Sequence, residues 1–262
     1  MRPGVGGGEQ TRTADASVGG VHDSTATIDV DVAISRLAAA FDNTGSSPDG
    51  NHGVGDFDGN GSSFSAEALA ANGISAGAKI THNGYTFAWP DGGPNNVAAG
   101  GQTIALAAGG TSLGFIGAST YGTQTGTVTL TYTDGTSEQQ TLSFADWYGN
   151  QPAAGGDVVT TMPYINTNGG NNTGSYSLYF TSVPLVAGKT LQYVTLPDIS
   201  HGTSGGWPSM HIFAIAAKND SLAVTAPPIA DPGTSITVTT KYTNVGSTAA
   251  NAVTLTLSGW PA

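Results

Sequence analysis

The stretch GTVTLTYTDGTSEQQTLSF, residues 126–144, decides the fold. Its two halves, Gly126–Thr133 and Glu138–Phe144, carry the Thr, Val and aromatic residues that suit a pleated, half-buried surface. Between them stands Asp134-Gly135, a dipeptide that closes a hairpin because glycine accepts positive φ without steric cost. Outward from this hairpin the pattern recurs. Tyr85–Trp89, Thr103–Ala107 and Ser112–Ser119 precede it; Val158–Tyr164, Ser175–Val183, Leu191–Leu196 and His211–Ala217 follow. Upstream, Ile28, Val30 and Val32 alternate with Asp29 and Asp31, a period-2 signal. One helix is expected: Ser65 caps it, Ala66–Ala71 propagate it and Asn72-Gly73 stops it. About ten strands and one helix over roughly 190 residues read as an all-β, jelly-roll-like β-sandwich.

Composition agrees. The chain has 262 residues with 39 glycines, and only 10% are charged, against about 25% in an average soluble domain. Helical proteins need charged outer faces; short strands and tight turns do not. Eighteen acidic and 7 basic residues give a net charge of −11. No basic stripe exists to neutralise phosphates, so nucleic acid is not an expected partner, nor is an anionic membrane surface. No run of about 18 apolar residues is present, so no membrane span is expected. With no cysteine there is neither a disulfide nor a thiolate metal site. The low charge and the Thr/Ser/Asn/Gly-rich character point to a secreted, extracellular bacterial protein.

Three segments are expected: a Gly-rich flexible leader over 1–24, the sandwich over 25–218, and a linker with a partial module over 219–262. The opening MRPGVGGGEQTRTADAS has no apolar h-region and reads as a fragment boundary. Past Asn219-Asp220 a Pro-rich approach leads to two alternating strands around Asn244-Val245-Gly246. Three strands in about 40 residues do not close a core, so the second module reads as cut short at Ala262.

Several motifs, taken in order, carry a family likeness. They are AAAFDNTGSSPDGNHGVGDFDGNGSSFSAEALAANGI (38–74), YTFAWPDGGPNNVAAGGQTI (85–104), LGFIGAST (113–120), VTLTYTDGTSEQQTLSFADWYGN (128–150), TMPYINT (161–167) and MHIFAIA (210–216). Together, over residues 34–217, they resemble the galactose-binding-like β-sandwiches appended to secreted actinobacterial glycoside hydrolases. The tail from Leu222 resembles the opening of an Ig-like module found beside alpha-galactosidase carbohydrate-binding domains. The resemblance implies a non-catalytic carbohydrate-binding accessory module, covalently linked to a catalytic domain and directing it to a neutral glycan or polysaccharide. It also implies a structural calcium between loops, for which Asp42, Asp49 and Asn51 are further candidate ligands. In the pattern an Arg follows the Met162-Pro163-Tyr164 tripeptide; here Ile165 stands there.

The sharpest motif is Asp56-Phe57-Asp58-Gly59-Asn60-Gly61 with Glu67, which satisfies the EF-hand calcium-loop pattern. Alternate oxygen side chains would converge on a hard cation and Glu67 would close the shell. The competing reading is an Asx-rich loop whose side chains bond their own backbone. For glycan contact the chemistry needs an aromatic face to stack on C–H groups and planar polar groups for hydroxyls. Asp146-Trp147-Tyr148-Gly149-Asn150 offers both. The loop His201–Trp207 and the pair Tyr164 and Asn166 are the other candidates. These aromatics could equally plug the ends of the sandwich, and Trp89, within a strand, reads as core.

Other classes stay open. Gly202–Gly206 matches the G-x-S-x-G elbow of serine hydrolases, but a strand rather than a helix follows it. Glycoside hydrolysis would need paired carboxylates such as Asp146 with Asp157 or Asp198. A calcium-stabilised stalk or adhesin domain would explain the acidic loop and the second module without any ligand. His22, His52, His82 and His211 lack the spacing of a zinc site, and no catalytic metal is expected.

Overall fold

A computed structural model describes residues 12–16, 24–28, 34–35, 37–200, 207–218, 221–225 and 239–243. The chain divides into two compact units, one spanning Ala33–Lys218 and one drawn from Met1–Val32 and Asn219–Ala262. In the latter, β1 (Arg12–Ala16) pairs antiparallel with β2 (Ser24–Ile28). Most of the alternating stretch 28–32 and the turn at Asn244–Gly246 lie outside the described residues.

The Ala33–Lys218 unit is the sandwich. It runs through β3 (Ile34–Ser35), β4 (Ser46–Ser47), β5 (Ser63–Ser65), β6 (Lys79–His82), β7 (Tyr85–Ala88), β8 (Val97–Ala98) and β9 (Thr103–Ala108). It continues with β10 (Ser112–Thr120), β11 (Gln124–Tyr132), β12 (Ser137–Phe144), β13 (Asp157–Thr167), β14 (Gly170–Pro184), β15 (Leu191–Thr195) and β16 (Ser209–Lys218). A seven-stranded sheet has the order β4-β5-β13-β14-β10-β16-β8, and a five-stranded sheet the order β12-β11-β15-β9-β3. All pairings in the two sheets are antiparallel except β4 with β5. Past Lys218, β17 (Ser221–Thr225) pairs with β18 (Thr239–Thr243) in the other unit.

The quoted stretch folds as its pattern dictates. Val128, Leu130 and Tyr132 on β11 and Leu142 and Phe144 on β12 are buried, while the threonines between them are not. The turn has Gly135 at φ 82, and the Asp134 carboxylate accepts the Thr136 N–H at 3.0 Å. In the larger sheet, β10 and β16 are buried on both faces for most of their length. The hairpin β6–β7 supplies the outer cover: Tyr85 packs on Phe180, 5.1 Å between ring centroids. It also lies so close over Gly114 that a Cβ there would stand 2.8 Å from the ring. Trp89 is core, its ring stacked on Phe213 at 5.0 Å. The one α-helix, α1 (Ala66–Ala71), starts where Ser65 Oγ accepts the Ala68 N–H at 3.0 Å and ends before Gly73, at φ 83. Strands of two or three residues such as β4, β5 and β8 escape a sequence reading because they span no full period.

Candidate functional site

The segment after β12 is an extended bridge rather than an open loop. Trp147 N–H donates to Ser119 O at 2.7 Å, and Ser177 N–H donates to Trp147 O at 2.7 Å. Asp146 bridges Ser119 at the end of β10, and Tyr148 bridges Tyr176 on β14. Extended backbone alternates its side chains, so Trp147 turns inward while Asp146 and Tyr148 turn outward. Trp147 is buried among Phe57, Phe64 and Tyr176, with ring centroids 4.8, 5.1 and 5.3 Å away. Its expected role as a stacking face is therefore corrected: Trp147 is a core residue. The exposed ring is Tyr148, 67% accessible and edge-on to Tyr176.

Two more exposed rings gather at this end. Tyr121, at the turn after β10, is 46% accessible and Trp207, just before β16, is 60% accessible. Among the described residues the large exposed apolar or aromatic side chains are Val54, Tyr121, Tyr148, Tyr193 and Trp207; three of the five share one end of the sandwich. Hydrogen bonds tie their backbones together. The Asp146 carboxylate accepts the Gly122 N–H and, at 2.8 Å, the Tyr148 N–H. Thr120 Oγ1 reaches Trp207 O at 3.5 Å. Asn150, two residues past Tyr148, is exposed, its side-chain oxygen accepting from Gln151. Tyr121 adopts φ 54, a left-handed conformation uncommon outside glycine, and Asn60 donates its side-chain amide to the Tyr121 hydroxyl. Partial burial and then the nearby Asp58 carboxylate push the pKa of that hydroxyl up. Sequence reasoning missed Tyr121. The available signal was an aromatic directly before a turn glycine, Tyr121-Gly122, between two strong strands.

The other expected ligand-binding residues separate. Tyr164 is half-buried and donates its hydroxyl to Asp49 at 2.9 Å. Asn166 is buried, its amide donating to Ser47 O at 2.7 Å; it holds β13 to the edge of the sheet and offers nothing to a ligand, a second correction. Ile165 is also buried, paired with Phe64 across β13 and β5. His201 and the G-x-S-x-G stretch to Gly206 lie outside the described residues.

The acidic loop takes the Asx-rich form. Asp58 Oδ1 accepts the N–H groups of Asn60 at 2.9 Å and Ser62 at 3.0 Å, and Asp56 Oδ1 accepts that of Gly61 at 2.8 Å. Gly61 has φ 79, and an added Cβ would meet the Asn168 amide at 2.2 Å, so glycine is required. Glu67 sits in the first turn of α1 and accepts the Asp49 N–H at 2.9 Å. Asp56 and Asp58 thus serve their own loop while Glu67 serves Asp49, and among the described residues no group of three or more His, Cys, Asp or Glu is placed to hold a metal ion. Asp157 is engaged by Asn83 at 2.9 Å and His82 at 3.2 Å, which hold its carboxyl below the usual range. His211 is a buried strand residue with Nδ1 2.7 Å from Asn96 Oδ1, and burial lowers its pKa to about 3.

Two clefts of about 410 and 430 Å3 flank the Trp89–Pro94 segment. Leu69, Ile74, Val54 and prolines dominate the first, and Asn95 at its rim is already spent on Gly45 and Ser46. Such a surface gives apolar contact without directed hydrogen bonds. Among the described residues no helix is long and apolar enough to cross a membrane.

A family model described as AziU2-like beta-sandwich domain matches residues 32–221. No curated protein matches the chain.

Proposed function

We propose that this chain, which belongs to the AziU2-like β-sandwich family, is a non-catalytic glycan-binding module whose contact surface is the end bearing Tyr121, Tyr148 and Trp207. The single observation that carries the reading is the placement of three exposed rings at one end of the sandwich, where Asp146 bonds the Gly122 and Tyr148 N–H groups and Asn60 bonds the Tyr121 hydroxyl. Sugars present C–H faces to aromatic rings and hydroxyls to planar amides and carboxylates. The rings are held by paired strand ends, so little ordering is left for binding. The carboxylates favour binding over hydrolysis. Asp146 is committed to the N–H groups of Gly122 and Tyr148, and Asp157 to His82 and Asn83. A galactose-binding-like ancestry, a secreted parent enzyme with a linked catalytic domain, and an extracellular location belong to the same proposal. They rest on motif likeness and composition.

An open site of this kind binds with dissociation constants on the order of micromolar to millimolar. A glycan array probed with the purified chain should show retention on at least one polysaccharide class, without release of reducing sugar. A blank array, or sugar release, overturns the reading.

A further inference from the structure

Resting on the glycan reading, we infer that this end selects a cationic sugar, an amino-sugar glycan bearing free ammonium groups. Three carboxylates belong to it: Asp58 and Asp56, from the loop whose Asn60 bonds Tyr121, and Asp146 beneath Tyr148. All three raise the pKa of the Tyr121 hydroxyl, so their charges reach the ring. Among the described residues, Asp56 and Asp58 take protein N–H donors on Oδ1 alone, which leaves each Oδ2 to an incoming donor. The lysines among the described side chains lie elsewhere. Lys189 pairs with Asp134 at 2.8 Å, Lys218 sits over the Tyr85 ring and Lys79 is on the β6–β7 hairpin.

An aromatic patch flanked by carboxylates that no lysine among the described side chains pairs has a specific complement. An ammonium is attracted to the ring face through its quadrupole and to the carboxylate through a charge-assisted hydrogen bond. The sugar ring to which it is attached supplies the C–H face for Trp207 or Tyr148. A neutral sugar can use the rings but not the charge; an acidic sugar is repelled. The net charge of −11 steers the same class of ligand toward the molecule.

The test compares glucosamine oligomers with N-acetylglucosamine oligomers and cello-oligosaccharides, by calorimetry on the full chain at low salt and a pH where the amine is protonated. Glucosamine oligomers should bind roughly tenfold tighter than the N-acetylated set, one charge-assisted contact's worth. Asp58→Asn keeps the Oδ1 acceptor and loses the charge, so it should erase that preference while leaving the melting temperature unchanged. Equal affinity for all three sets, or a preference that survives both Asp58→Asn and Asp56→Asn, overturns the inference and leaves glycan binding standing. Binding to polylysine as strong as to glucosamine oligomers, and untouched by Trp207→Ala, shows plain charge attraction and also overturns it. Absence of binding to every glycan removes this inference and the function proposed above together.

Discussion

At the residue scale, the division of labour between Trp147 and Tyr148 follows from one register. Adjacent positions on extended backbone face opposite ways, so one ring plugs the core and its neighbour meets solvent. Trp147→Ala removes a buried ring packed on Phe57 and Phe64 and should cost about 3–5 kcal/mol by denaturant unfolding. Tyr148→Ala should stay within about 0.5 kcal/mol of the parent. The reverse ranking would contradict the placement. His211 carries a second residue-scale prediction. Its folded pKa of about 3 lies below the ordinary value of 6.5, so the unfolded chain binds a proton first as pH falls. Stability from this group is complete above pH 6.5 and is lost as pH falls towards 3, with a limiting slope of about 1.4 kcal/mol per pH unit. The carboxylates with lowered pKa values titrate further down, so the difference between parent and His211→Asn in urea melts between pH 7 and 5 reads this histidine. His211→Asn should flatten the profile in that interval; an unchanged slope would assign it to other groups. The inward turn of Trp147 was not legible in the sequence because the segment looked like a Gly-flanked loop. Only its pairing to β10 and β14, through distant Ser119 and Tyr176, makes it extended.

At the scale of the element, local chemistry was legible where the partners are near in sequence. The α1 cap bond, from the Ala68 N–H to Ser65 Oγ, spans three residues, and the β11–β12 hairpin closes at Asp134-Gly135. Ser65→Ala should lose about 1 kcal/mol, read as a fall in melting temperature. Ser65 Oγ also bonds Asp49, so a loss above that figure would count the second bond, and no loss would deny both. The 56–67 stretch shows the opposite case. Its spacing fits a calcium loop, yet where each oxygen points depends on Asp49, Asn168 and Tyr121 from elsewhere in the chain. With Asp58 capping two amides, Asp58→Ala should cost about 1–3 kcal/mol, equally with and without EDTA. A loss that vanishes in EDTA would instead give the loop a bound cation.

On the scale of the whole molecule, the two-sheet sandwich needed no long-range information beyond strand count and spacing, and the family match over residues 32–221 shows the same architecture. The site did need it. Tyr121, Tyr148 and Trp207 are far apart in the chain and share one end only because β10, β16 and the bridge after β12 end side by side. The proposed function therefore rides on an end of the fold rather than on a motif. The most direct measurement is retention of the Tyr121→Ala/Trp207→Ala double variant on the polysaccharide that holds the parent chain, alongside both melting curves. The account predicts retention lost and melting unchanged; retention intact at unchanged stability would contradict it.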